Sequence, residues 1–175
     1  MLSAYKAAGL KEGYVLTALN YLDWRRGAER YIRPLQVKGE ASVLTDDTYL
    51  KALNTLKSKY ASEPICAEVY LAQARYAIEK QQQVNALQLC DEAIRLYPGY
   101  DRVNARKNLR EEILAPYLNV YAADQAFPNE EIELRASHKN LDGFTVRIYQ
   151  AKKLIKEQHY SVIRPEDYRT QDTVF

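Results

Sequence analysis

Apolar positions recur at helical spacing through the first two thirds of the chain, then switch to alternation. Over residues 11–33, Val15, Ala18, Leu19 and Leu22 fall at i, i+3, i+4 and i+7, the stripe of an amphipathic helix. Tyr14, Tyr21, Trp24, Ala28 and Tyr31 form a second stripe on another side. Apolar groups on two sides predict a helix packed between layers, with Arg25, Arg26, Glu29 and Arg30 toward solvent. Pro34, Gly39 and the polar run to Asp47 predict a loop over 34–46. A helix follows over 47–60, capped by Thr45 or Asp46 and striped by Tyr49, Leu53, Leu56 and Tyr60. The next spans 64–80, with Pro64 in its first turn and Ala67, Leu71, Ala74 and Ile78 on one face. Residues 84–97 bury Leu87, Cys90, Ile94 and Tyr97. A last helix, 101–115, turns Ala105, Leu109 and Ile113 inward and Arg102, Arg106, Lys107 and Arg110 outward.

After Pro116 the period becomes 2. Residues 131–136 and 144–149 alternate as strands, joined by a turn over 138–143 that contains Asp142-Gly143. Residues 159–163 suit a third strand, and Lys152, Lys153 and Lys156 fall in a connecting stretch. Three strands cannot close a sandwich, so an edge stays open to pairing, including with a second copy.

Ala52, Leu53, Leu56, Tyr60 and Pro64 are echoed 34 positions later by Ala86, Leu87, Cys90, Ile94 and Pro98. Residues 67–100 resemble a tetratricopeptide repeat, a helix pair that buries its apolar face by stacking on neighbours. Tyr70, Ala74, Ala86, Cys90, Ala93 and Pro98 fill the family's small and apolar positions. The preceding repeat matches through Ala52, Leu56 and Pro64. Gln73 departs where the family prefers Leu, Ala77 where it prefers Tyr, and Lys59 replaces a small residue.

The stretch 121–131, then Ser137–Asp142 and Val146–Tyr149, resembles the opening of the first macroglobulin-type β-sandwich of large bacterial (Bacteroidetes-like) alpha-2-macroglobulin family proteins. In those relatives a helical-repeat region precedes the sandwich. The resemblance implies a protease-trapping, endopeptidase-inhibiting protein of the periplasm or outer envelope. The family's thioester does not carry over. Cys66-Ala67-Glu68-Val69 and Cys90-Asp91-Glu92-Ala93 both lack the Gln that would form its acyl partner. The start falls mid-pattern and lacks the basic and apolar regions of a signal peptide, and Phe175 falls in mid-domain; both predict a longer parent chain.

Composition adds little chemistry. Net charge is +2 over 175 residues and evenly spread, which gives no electrostatic footprint for nucleic acid. No apolar run is long enough to insert in a membrane. Fifteen Tyr against three Phe and one Trp suit half-buried helical layers and interfaces. Cys66 and Cys90 read as two buried thiols, with a disulfide as the alternative. His138 and His159 are the only histidines. With Glu130, Glu131, Glu133 and Asp142 nearby, a metal or acid–base site can be drawn at His138, but the spacing matches no ligand arrangement, and a turn histidine is expected.

The expected fold is therefore mainly α. An antiparallel, TPR-like array of about five helices covers 1–116, and a partial antiparallel β segment covers 117–175. The expected function is a non-catalytic interaction or structural module without cofactor or metal. Its partner is a protein or peptide, or further domains of a longer chain, and Tyr14, Tyr21, Trp24 and Tyr31 are candidate contacts. The alternative is a stand-alone tetratricopeptide adaptor.

Overall fold

The computed structural model describes residues 2–31, 44–122, 133–150, 152–162 and 166–174. The chain is mainly helical with small antiparallel sheets, and it divides into two compact units, Met1–Arg110 and Glu111–Phe175.

The helices are α1 (Leu2–Ala7), α2 (Lys11–Tyr31), α3 (Asp46–Lys59), α4 (Cys66–Glu79), α5 (Gln83–Leu96) and α6 (Val103–Leu114). The short α1 has no counterpart in the sequence reading. It ends at Gly9, whose φ of +67° is the left-handed conformation glycine adopts freely, and Leu10 N–H bonds back to Tyr5 O at 3.0 Å. Thr45 caps α3 by accepting from Thr48 N–H at 3.3 Å. The expected loop over 34–46 lies outside the described residues except at its end, from Leu44.

The core of the first unit joins Val15 and Leu19 of α2 to Tyr49, Leu53 and Leu56 of α3 and to Val69 and Tyr70 of α4. Ala74, Ala86 and Ala93 are buried with at most 1% exposed, so α4 and α5 meet across small side chains. Tyr97 stands edge-on to Tyr70 at 6.1 Å and donates its hydroxyl to Ala61 O at 2.7 Å. Cys66 and Cys90 are free buried thiols. Gln73, in the position where Leu was preferred, is buried and donates to Asn54 Oδ1 at 2.7 Å.

Two expectations about charge are corrected here. Arg106 was expected outward but is 1% exposed. It donates to Ala67 O at 3.1 Å and to Arg102 O, lies 3.5 Å from Glu68 Oε1, and covers the Tyr100 ring at 5.1 Å. Arg26, expected in solvent, is half-buried. Its guanidinium lies 4.8 Å from the Tyr49 ring and 5.0 Å from the Tyr76 ring and pairs with Glu79. In both cases a planar cation finds aromatic faces and a carboxylate, which offsets its desolvation.

The second unit holds β1 (Tyr117–Ala122), β2 (Leu134–Lys139), β3 (Gly143–Gln150), β4 (Lys153–Ser161) and β5 (Gln171–Val174). The order is β1-β2-β5 in one sheet and β3-β4 in the other, all antiparallel. The expected hairpin between the strands at 131–136 and 144–149 does not form, because β2 pairs with β1 and β5 instead. The physical reason lies at Asn140, which adopts φ +56° and donates to Ile113 O at 2.9 Å and Ala115 O at 3.1 Å. These are carbonyls at the end of α6 that the helix cannot satisfy, so the turn is drawn to them and β3 leaves in a new direction. Gly143 serves close approach rather than a hairpin turn, since a Cβ there would lie 2.6 Å from Tyr160 O. Lys153 and Lys156 are not in a connection; they belong to β4, opposite Gln150 and Ile148. The start of the expected strand 131–136 and the end of 159–163 fall outside the described residues, and Tyr160 and Ser161 belong to β4. His138 is not in a turn. It is a buried β2 residue with Nε2 3.1 Å from Thr173 Oγ1 and its ring 5.5 Å from Phe144.

Candidate functional site

A groove of about 1200 Å³ opens on the first unit. From α2 it takes Leu16, Leu19, Asn20, Asp23, Arg26 and Gly27, which recur at i, i+3, i+4, i+7, i+10 and i+11. From α4 it takes Glu68, Leu71, Ala72, Arg75, Tyr76 and Glu79, at i, i+3, i+4, i+7, i+8 and i+11. Leu44–Asp46 and Tyr49 close one end, and Arg102 and Ala105 line it beside α6. Leu19 and Leu71 are buried beneath it, so the floor is apolar and the walls are charged.

Most of the wall charges are already paired. Tyr49 donates its hydroxyl to Asp23 at 2.6 Å. Burial and then that carboxylate raise the Tyr49 phenol well above its ordinary range. Asp46 pairs with Lys80 at 2.6 Å, and this bond holds its carboxyl below the usual value. Glu79 pairs with Arg26, and Glu68 faces the buried Arg106. Arg75 and Arg102, both exposed, have no carboxylate within ion-pair distance among the described residues.

The aromatic residues expected to contact a partner are not brought to this groove. Tyr14 packs at 6.1 Å against Tyr60, at the edge of the core. Tyr21 and Trp24 are 46% and 52% exposed and stack on each other at 6.1 Å, on a side of α2 that does not line the groove. Tyr31 ends α2, and its side chain lies outside the described residues. The repeat-framework residues are structural in position. Leu56, Tyr70, Ala74, Ala86, Cys90 and Ala93 are buried, Ala52 is half-buried, and Pro64 and Pro98 are exposed between helices. Asp23, Arg75 and Glu79 were missed because charged positions on a helix read as solvated. Their signal was a second set of i, i+3, i+4 positions on α2 and on α4, beside each apolar stripe.

Nucleophilic chemistry gains no support from the thiols. Burial pushes Cys90 up to about 11, with Asp91 adding to the shift, and burial likewise raises Cys66. Among the described residues no three His, Cys, Asp or Glu side chains converge as metal ligands, and no helix is long and apolar enough to cross a membrane. His159, at the surface, shares a hydrogen bond of 3.0 Å with Thr145.

No known family model, curated protein or solved structure matches the chain.

Proposed function

We propose that this chain is a non-catalytic interaction module whose TPR-like helical array receives a protein or peptide segment in the α2–α4 groove. The groove carries this reading. Two helices present parallel sets of lining residues across three turns, over an apolar floor. A site about 16 Å long, at 1.5 Å per residue, accommodates roughly five extended residues. A random peptide library panned against the intact chain tests it. Selected peptides should lose binding to Ala72→Trp, which fills the groove, and keep it with Trp24→Ala on the outer side of α2. The reverse pattern would move the site to Tyr21 and Trp24 and sink the groove.

A second reading concerns Glu111–Phe175 as the opening part of a macroglobulin-type sandwich in a larger protease-trapping envelope protein. One observation favours it. Among the described residues of this unit only Ile113, Ala136, His138 and Phe144 are buried, while Leu118, Val120 and Ile155 are 45%, 51% and 56% exposed. Such a pair of sheets gains most of its stability from further contacts. Amide exchange across β3 and β4 should be fast in this chain while α3–α5 stay protected. Equal protection in the two units would count against the reading.

A further inference from the structure

Resting on the groove as a peptide site, we infer that its ligand is an acidic segment, with carboxylate side chains held by Arg75 and Arg102 and apolar side chains between them on Leu71 and Ala72. Three of the groove's four carboxylates already face a cation, Asp46 at Lys80, Glu79 at Arg26 and Glu68 at Arg106, and the fourth, Asp23, accepts the Tyr49 hydroxyl. A basic segment would compete with a resident cation at three of these four carboxylates. Arg75 and Arg102 have no such partner among the described residues, and both line the groove. A guanidinium fork that is exposed and unpaired can take a carboxylate on two parallel N–H groups without losing an existing bond. The preference is for separated acids rather than a polyanion. A continuous phosphate backbone would run over the carboxylates of Asp23, Asp46 and Glu79, which repel it. The apolar floor adds a second requirement, since Leu71 and Ala72 stand one turn from Arg75 on the same face of α4.

Fluorescence anisotropy of the intact chain with three labelled heptapeptide sets distinguishes the possibilities. One set alternates Glu with Leu, one Gln with Leu, and one Lys with Leu. The Glu set should bind, the Gln set should bind about tenfold more weakly or not at all, and the Lys set should not bind. Arg75→Gln and Arg102→Gln should each weaken the Glu set several-fold, and added salt should do the same. Lys51→Gln, an exposed cation on α3 outside the groove, should change nothing. Helical circular dichroism confirms that each variant is folded. Equal binding of the Glu and Gln sets overturns the acidic preference and leaves the groove standing. Glu-set binding that survives both arginine substitutions overturns the assignment of these residues. Failure of all three sets with folded protein overturns the peptide groove itself.

Discussion

Arg106 donates from Nη1 to the carbonyl of Ala67 across 3.1 Å while only 1% of its surface is exposed. The bond ties the start of α6 to the first turn of α4, and Glu68, one residue on, supplies the counter-charge. Removing one member of such a pair leaves the other buried and uncompensated. Arg106→Ala should therefore cost about 3–5 kcal/mol in urea unfolding followed by far-UV circular dichroism. Arg106→Met combined with Glu68→Leu should recover most of that loss, because neither charge then remains. An unchanged urea midpoint for Arg106→Ala would show that the contact is dispensable.

Alkaline pH should unfold the helical unit. Burial raises the phenols of Tyr49, Tyr70, Tyr97 and Tyr100 above the ordinary 10.0, with Tyr70 and Tyr100 at about 12. Above pH 10 the unfolded chain releases these protons while the folded chain holds them, so the stability they contribute is intact below 10 and is lost as pH climbs through the folded values. Tyrosinate absorbance should rise in two phases, the later one together with loss of helical signal. A single phase complete before any helix is lost would contradict the burial of these rings.

Asn140 joins an unusual backbone angle to two hydrogen bonds, and substitution can separate them. Asn140→Gly keeps φ +56° accessible but removes the bonds to Ile113 O and Ala115 O. Asn140→Ala loses both advantages. Each should lower the stability of the second unit, Gly by about 1 kcal/mol and Ala by about 2. Amide exchange at β2 and the end of α6 reads the difference, and an Ala variant as protected as the native chain would rule out this role.

Gly143 and Gly99 should respond oppositely to alanine. At Gly143 the new methyl meets the carbonyl oxygen of Tyr160 at 2.6 Å, whereas at Gly99 nothing lies within 4 Å. Gly143→Ala should open the β3–β4 ladder and cost about 1–3 kcal/mol. Gly99→Ala should fall within about 0.5 kcal/mol of the native chain. Amide chemical shifts of Phe144 and Tyr160 check the first, and thermal unfolding checks the second.

The helices were legible because their apolar stripes, caps and prolines agree, as at Thr45, Leu53 and Leu56. The side-chain partners were not. Arg106 carries the same local pattern as Lys107 and Arg110, and only the packing of α4 against α6 decides which cation is buried. Asp142-Gly143 looked like a hairpin turn because the dipeptide has that chemistry, but the capping reach of Asn140 to Ile113 spans 27 positions and leaves no local trace. β1 was hidden for a related reason. Tyr117–Ala122 is exposed at every position, so no in-and-out alternation of burial marked it as a strand. The groove showed only as charged positions on α2 and α4, which in sequence resemble ordinary solvent-facing residues.

Small side chains where α4 meets α5 also make the two thiols timekeepers. Cys66 opens α4 and Cys90 sits in the middle of α5, and both are shielded at the floor of the array with their thiolate forms disfavoured. A thiol reagent can reach them only during excursions in which the helices part. The labelling rate of Cys90 thus times the separation of α5, and that of Cys66 times the fraying of the first turn of α4. If a ligand clamps α2 against α4, the Cys66 clock should slow more than the Cys90 clock.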